Sequence, residues 1–249
     1  MSADPSDRPR ATFTITHERK PSTTLVAGFA SFGLAGLTAA NFLVDQLDLE
    51  ETGHVEAEAL PTFTPFEAGT PRHHSRLFSR DDLDLTVLVN ELFVPVDAAD
   101  SFASEVIAWT EANEVEEVTI LSGVPYRHGP EEHRVYYVAT EDYQSTRLVD
   151  VDLPPMGNGF LDGVNASIVA RGMESPLRTG LFVTPVHAQV PDVEASIRLI
   201  DALELVYGLT IDSGPLVKFA EEVERYYRDL ADRLEAVQEE QVPDDRMYM

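Results

Sequence analysis

Three glycines follow a short apolar stretch near the start of the sequence, at positions where a turn could hold a phosphate. Residues 23–27 predict a buried strand, and Gly28, Gly33 and Gly36 lead into an alanine- and leucine-rich segment that predicts a helix. A turn between a strand and a helix can bind phosphate, because the first amides of a helix have no partners within it.

The spacing of these glycines argues against the common nucleotide-binding loops. The pattern G-x-x-x-x-G-x-x-G differs from the G-x-G-x-x-G of a dinucleotide site. Leu34 and Ala35 stand where a P-loop carries Lys and then Ser or Thr. Phe29 and Phe32 are bulky where a phosphate needs bare backbone. The sequence therefore predicts glycines that serve close packing and positive φ angles, with no bound cofactor.

A few other residues are of types that bind metals or act in catalysis, but the sequence around them matches no established motif. The adjacent His73 and His74 would point to opposite sides of an extended chain, which disfavours a shared metal ion. Neither Ser31 nor Ser122 lies in G-x-S-x-G, and the sequence pairs neither serine with a histidine. Glu91 follows a predicted strand, where α/β proteins usually bind ligands. We predict no metal site and no catalytic residue.

His128 and His133 form the remaining histidine pair of interest. They flank a Gly-Pro step in a segment that also contains two glutamates. No spacing here matches an established zinc motif, so a solvated loop is the favoured interpretation.

The charge balance is strongly acidic. The 249 residues include 18 basic and 44 acidic side chains, a net charge of −26, and Lys20 and Lys218 are the only lysines. Such a surface repels nucleic acid and anionic membranes, because phosphate binding needs clustered Lys and Arg. An excess of carboxylates with almost no lysine is typical of a protein adapted to a very salty cytosol, where the repulsion is screened.

Other compositional features narrow the class of protein further. The sequence has no cysteine, which excludes disulfides and thiol catalysis. No apolar run reaches the ~18 residues of a membrane helix, and the first ten residues are polar. We expect a cytoplasmic protein that binds neither membrane nor nucleic acid.

Strand and helix patterns alternate along most of the chain, which predicts an α/β fold. We expect a mostly parallel sheet with helices on both faces. The predicted strands are residues 12–16, 23–27, 54–59, 76–79, 85–90, 117–122, 135–139 and 181–184, and the predicted helices are 33–47, 98–113, 159–173 and 191–207.

The predicted domain organisation has four parts. A disordered arm at residues 1–11 precedes an α/β core at 12–212. Apolar residues at spacings of three and four then predict a long helix at 213–238, which must pack on the core or on another copy. A polar stretch broken by proline predicts a flexible tail at 239–249.

Five motifs, in sequence order, resemble the proteasome assembly chaperone family, in the class related to the second eukaryotic assembly chaperone. The first is the glycine turn itself, and the others span residues 56–61, 88–91, 121–125 and 159–163. The residues that carry the resemblance are Gly28, Phe29, Ser31, Gly33, Gly36, Asn41, Gly123, Pro125 and Gly159. The resemblance implies a sheet like that of nucleoside phosphorylases.

The last three residues, Met247, Tyr248 and Met249, resemble the motif with which proteasome activators dock. In that motif an apolar residue, a tyrosine and any residue precede the free carboxylate. The resemblance implies that the tail enters pockets between α subunits of the 20S proteasome, where its carboxylate meets a lysine. One short tail would bind weakly, so a homo-oligomer that presents several tails is expected.

The sequence thus predicts a non-enzymatic, homo-oligomeric partner of the 20S proteasome, as an assembly chaperone, adaptor or activator. The first alternative is an enzyme acting on a nucleoside-like small molecule at the strand ends near Gly28, Asn90 and Gly123. The second is an oligomeric scaffold with an idle tail.

The acidic composition generates a testable expectation about salt. The melting temperature should rise steadily with KCl concentration, because counter-ions screen the mutual repulsion of the carboxylates. Circular dichroism melts across a KCl series measure this. A melting temperature that is already maximal in dilute buffer would contradict the proposed adaptation to salt.

Overall fold

The computed structural model describes residues 10–125, 129, 132–187 and 191–220. By its contacts the chain forms two units, Met1–Ile211 and Asp212–Met249. Arg10 and Ala11, at the end of the predicted arm, already belong to the first unit, because Arg10 Nε donates to Ser101 Oγ at 3.1 Å and Ala11 is buried. The rest of the predicted arm lies outside the described residues.

The first unit is built around one eight-stranded sheet and five α-helices within the described ranges. A two-stranded ribbon, β4 and β5, lies outside that sheet. The strands are β1 Thr12–His17, β2 Thr24–Phe29, β3 Glu50–Glu58, β4 Phe66–Glu67, β5 Thr70–Pro71, β6 Ser75–Arg80, β7 Leu83–Asn90, β8 Glu117–Val124, β9 Tyr136–Ala139 and β10 Arg178–Pro185. The helices are α1 Ala35–Gln46, α2 Val96–Ala112, α3 Glu141–Arg147, α4 Gly163–Gly172 and α5 Val193–Tyr207.

The strand order is β1-β3-β6-β7-β2-β8-β10-β9. Strands β7, β2, β8 and β10 are parallel neighbours in the centre, and the remaining pairings are antiparallel. Because β3 is antiparallel to β6, which is itself antiparallel to β7, β3 runs with the central four. Five of the eight strands therefore point the same way, and the predicted α/β class is confirmed.

The helices cover both faces of the sheet, as the alternation along β2 shows. Leu25, Ala27 and Phe29 join the apolar core shared with α2 and α4, and the Phe29 ring lies 5.8 Å from that of Phe102. On the opposite face, Gly28 lies against α1, which in turn contacts α5. No helix in the described ranges is long and apolar enough to cross a membrane.

Several elements differ from the sequence-based expectation. Helix α4 begins at Gly163 instead of residue 159, and the β4–β5 ribbon was not predicted. Helix α3 was missed, because Tyr143 is its only buried residue and one residue makes no periodic pattern. Strand β3 begins at Glu50 instead of residue 54, since its charged first residues pair with β6 regardless of their low strand propensity. Pro191 precedes helix α5 and its Asp192 cap, so it does not lie in the first helical turn as predicted.

A buried carboxylate fixes one end of the central sheet. Glu117, at the start of β8, is almost completely buried and lies 2.7 Å from Nη2 of Arg147 in α3. Nε of Arg178 in β10 lies 3.3 Å from the second carboxylate oxygen. The two guanidinium groups compensate the buried negative charge, which would otherwise be costly.

Asp192 connects helix α5 to the glycine turn. Its carboxylate accepts hydrogen bonds from the Ala195 and His187 backbone amides, both at 2.9 Å, and its own amide donates to the Gly33 carbonyl at 2.8 Å. Burial of Asp192 favours the neutral acid, but the amides of His187 and Ala195 outweigh it and lower the pKa of this carboxyl below its ordinary value.

In the second unit, the described residues begin a helix at residue 214. The Ser213 carbonyl accepts from the Leu216 and Val217 amides at 3.0 Å, and the Asp212 side chain accepts from the Gly214 amide. The remainder of the predicted helix at 213–238 and the predicted tail at 239–249 lie outside the described residues.

Substitution of Gly36 tests the packing of α1 on the sheet. A Cβ at Gly36 would lie 2.0 Å from the Leu121 carbonyl oxygen, and backbone cannot move aside as a side chain can. Gly36→Ala should therefore reduce the free energy of unfolding by about 1–3 kcal/mol or more. Urea unfolding in high salt measures it. Gly157→Ala is the matched control, because nothing lies within 4 Å of its added Cβ. Equal stability of both variants would contradict this packing.

Substitution of Asp192 tests the connection between α5 and the turn. Asp192→Ala should lower the free energy of unfolding by about 1–3 kcal/mol near neutral pH, because it removes a helix cap together with the hydrogen bonds from the Ala195 and His187 amides. The folded pKa is depressed, so this contribution should fade as pH falls from about 3.9 through the lower folded value.

Urea unfolding of wild type and variant at neutral and acid pH measures this difference. Glu194→Ala, in the same helical turn but not at the cap, is the control and should change little. A stability difference between wild type and Asp192→Ala that stays constant into strong acid would argue against the carboxylate as its source.

Candidate functional site

The glycine turn is filled by the protein's own atoms. Added Cβ atoms would lie 2.3 Å from the Gly36 carbonyl oxygen at Gly28, and 2.7 Å from the Phe32 carbonyl oxygen at Gly123. Gly33 has a φ of +65° and lies against Val186. The turn therefore presents packed backbone at the places where a phosphate-binding loop would hold its ligand.

A large groove opens beside the turn, at the carboxyl ends of β2, β7 and β8. Its volume is about 1170 Å³. The strand ends contribute Phe29, Asn90 and Gly123, and the start of α4 contributes Asn165. The carboxyl edge of parallel strands is the usual ligand site of α/β sheets, so this groove is the principal candidate site.

Polar groups at the groove bond mainly to other parts of the protein. Asn90 is buried, its Nδ2 donates to the Leu92 carbonyl at 2.8 Å, and its Oδ1 accepts from Ser75 Oγ. Ser122 Oγ accepts from Asn165 Nδ2 at 2.9 Å. Within the described residues, the buried Ser31 Oγ has no hydrogen-bond partner. These groups stabilise the strand ends, and they do not form a nucleophile–base pair.

Glu91, which directly follows β7, belongs to a separate ion-pair cluster. Its Oε1 accepts from Arg72 Nη1 at 2.8 Å and lies 3.5 Å from Arg76 Nη2. Two guanidinium groups therefore face this largely buried carboxylate, which is the arrangement of a structural ion-pair cluster.

The adjacent histidines have different partners. The His73 ring stacks on His54 with 3.7 Å between centroids, while His74 Nδ1 lies 2.7 Å from Ser75 Oγ. Burial, with a smaller contribution from nearby His73, lowers the pKa of His74. Among the described residues no group of three His, Cys, Asp or Glu could hold a metal ion.

Exposed aromatic side chains surround the groove, and sequence reasoning missed this feature. Phe32, Phe93 and Phe160 all line it while remaining largely exposed to solvent, and Leu34 and Val96 extend the same apolar rim. Aromatic residues close to glycine-containing motifs were visible in the sequence, but no periodic pattern there separates exposed from buried phenylalanine.

The other predicted site residues are spread over the scaffold. Asn41 lies in α1, where its Nδ2 donates to the Leu37 carbonyl at 3.2 Å, and Pro125 and Gly159 line the groove from two loops. The groove thus brings together Phe29, Ser31, Gly33, Gly123, Pro125 and Gly159, whereas Gly28, Gly36 and Asn41 are not among its lining residues. Met247, Tyr248 and Met249 lie outside the described residues.

The fold is shared with several solved structures. Pyrococcus furiosus PbaA, described as an archaeal homologue of proteasome-assembly chaperone, aligns with a TM-score of 0.81 at 19% identity, over 93% of this chain and 96% of PbaA. P. furiosus PbaB, described as an archaeal proteasome activator, gives 0.77 at 18% identity, over 88% and 99%. The Mycobacterium tuberculosis proteasome-assembly chaperone homologue Rv2125 gives 0.62 at 18% identity, over 89% and 96%.

A comparison with curated proteins finds no significant match. The sequence itself matches a family model over residues 25–231, which include the glycine turn and every strand of the central sheet except β1. The chain belongs to the PAC2 family.

Proposed function

We propose that this protein acts on the 20S proteasome as an assembly chaperone, adaptor or activator, and docks on the α-ring through its last three residues. The observation that carries the proposal is the Met247-Tyr248-Met249 ending on a chain of the PAC2 family. The structural likeness to PbaA and PbaB also supports a role with the proteasome. PbaA is described as a homologue of proteasome-assembly chaperone, and PbaB is described as a proteasome activator.

The chemistry of the tail suits a docking peptide. A buried tyrosine removes about 150–250 Å² from water, and its hydroxyl can still find a polar partner. At about 25 cal/mol/Å² that burial contributes roughly 4–6 kcal/mol. Ordering each flexible residue costs about 1–2 kcal/mol, so three ordered residues offset most of the gain. A free carboxylate that meets a lysine adds a charge-assisted contact.

Weak single tails favour an assembly that presents several of them. Linked tails raise the effective concentration at neighbouring sites into the millimolar range, which strengthens binding without any new contact. We therefore include a homo-oligomer in the proposal. A cytoplasmic location follows from the proposed partner.

An enzymatic role on a nucleoside-like molecule is the second candidate, and the groove at the strand ends is the observation in its favour. Its lining disfavours that role, because Asn90 and Ser122 already have partners within the protein. A nucleoside needs several unpaired donors and acceptors, which the described lining supplies sparsely. We propose a non-enzymatic protein.

Binding to purified 20S proteasome in multimolar KCl tests the docking proposal. Tyr248→Ala and deletion of residues 247–249 should each weaken binding at least tenfold, because both remove the aromatic anchor. Extending the chain by one alanine keeps every side chain but displaces the carboxylate, and should also weaken binding. Gln241→Ala, in the same predicted tail but outside the motif, is the matched control and should bind like wild type.

Two results would contradict the proposal. Equal binding by wild type, deletion and extension would exclude the tail as the docking element. The absence of binding by every form, including wild type, would exclude the proteasome as the partner.

A further inference from the structure

A second pocket lies beside the β4–β5 ribbon and shares only Leu92 with the described lining of the groove. Its volume is about 460 Å³, which is a usual size for a small-ligand pocket. Arg72 lines it together with the apolar side chains of Val55, Leu60 and Phe63. The proposed docking on the proteasome does not use this pocket.

One edge of the Arg72 guanidinium has no hydrogen-bond partner. Its Nη1 donates to Glu91 Oε1 at 2.8 Å. Its Nε is buried, and neither Nε nor Nη2 makes a hydrogen bond to any described residue. The N–H groups of Nε and Nη2 point the same way, and a carboxylate can accept both in two parallel hydrogen bonds. A buried donor without an acceptor is costly, so this edge is suited to a ligand that supplies one.

The buried charges next to this edge are unequal in number. Arg76 is 9% exposed, and its Nη2 lies 3.5 Å from the same Glu91 oxygen. Its Nε is likewise without a hydrogen-bond partner in the described part of the chain. Burial, with a smaller contribution from Arg72, lowers the pKa of Arg76, as expected where two cations are buried close together. Two largely buried guanidinium groups thus share one largely buried carboxylate.

Three further carboxylates lie near these cations, but their side chains are substantially exposed. Glu67 Oε2 lies 3.6 Å from Arg72 Nε, and Glu51 Oε2 lies 3.8 Å from Arg76 Nη1, both beyond hydrogen-bond distance. Glu56 lines the pocket with 62% of its side chain exposed. Exposed ion pairs contribute little, because water and salt screen them, so a ligand can replace Glu67 at Arg72.

The unpaired edge and the unequal charges indicate the chemistry of the ligand. A carboxylate carries one negative charge, which matches the excess of one guanidinium, and its two oxygens match the two N–H groups of the edge. A doubly charged phosphate would be repelled more strongly by the surrounding glutamates. The apolar wall that includes Phe63 suits an apolar body attached to the carboxylate.

We propose that this pocket binds a small carboxylic acid with an apolar body, whose carboxylate pairs with the Nε–Nη2 edge of Arg72 in place of Glu67. The apolar body packs against Leu60 and Phe63. The site involves none of the last three residues, so it is tested without the proteasome and independently of the tail.

Isothermal titration with benzoate in multimolar KCl tests the site, because benzoate joins a carboxylate to a small apolar ring. Benzamide is the matched control ligand, since it has nearly the same shape but no charge. Wild type should bind benzoate about tenfold or more tightly than benzamide, which lacks the charge-assisted contacts. Inorganic phosphate should not displace benzoate.

Two substitutions should change the benzoate affinity in opposite directions. Arg72→Gln should weaken binding about tenfold or more, because it removes the charged edge. Glu67→Gln should strengthen binding severalfold, because it removes the carboxylate that competes for Nε, and its side chain is 76% exposed, so the fold does not depend on it. Arg19→Gln is the matched control and should bind like wild type, because Arg19 lies outside the pocket and 2.9 Å from Glu50.

Several outcomes would overturn the inference. Equal binding of benzoate and benzamide by wild type would remove the role of the charge, and displacement of benzoate by phosphate would contradict the assignment to a carboxylate. Wild type that binds no benzoate would exclude the site. Circular dichroism shows whether Arg72→Gln is folded, and a folded variant that keeps the wild-type affinity would exclude this edge. Unchanged affinity in Glu67→Gln would also contradict the proposal, and a gain of affinity there cannot result from unfolding.

Discussion

The close approach of α1 to the central sheet is the constraint on which the rest of the structure depends. Gly36 lies against the Leu121 carbonyl, and Gly28 lies against Gly36 and Ala40, with no space for a side chain at either position. This contact places the turn at the carboxyl ends of β2 and β8, where other protein atoms pack against its backbone. The backbone that could have bound a phosphate therefore packs against other parts of the protein. The turn also places Phe32 and Leu34 at the rim of the groove.

Function then divides among regions of different chemistry. The Glu117 cluster holds together the amino ends of β8 and β10. At the opposite edge of the sheet, beside the turn, Asn90 and Ser122 bond to other groups of the protein. The groove is left as a largely apolar surface on a strongly acidic protein. The proposed docking on the proteasome is assigned to the last three residues, and the proposed homo-oligomer would present several of them.

Much of this scaffold was predictable from residue patterns, because apolar alternation and runs report burial directly. Strand β2 and helix α2 follow such patterns closely. Helix α3 was not predictable, since one buried tyrosine gives no period, and neither was the early start of β3, which depends on its pairing with β6. At the site, the glycine spacing predicts close packing, and Gly28 and Gly36 do lie against backbone atoms. The exposure of Phe93 and Phe160 was not predictable, because only the tertiary fold decides which phenylalanines remain at the surface.

Electron cryo-microscopy of the protein mixed with 20S proteasome in multimolar KCl is the most direct test of the central claim. We predict density for Tyr248 and the terminal carboxylate in pockets between α subunits. Density that joins another surface of the protein to the α-ring, with those pockets empty, would contradict the proposal.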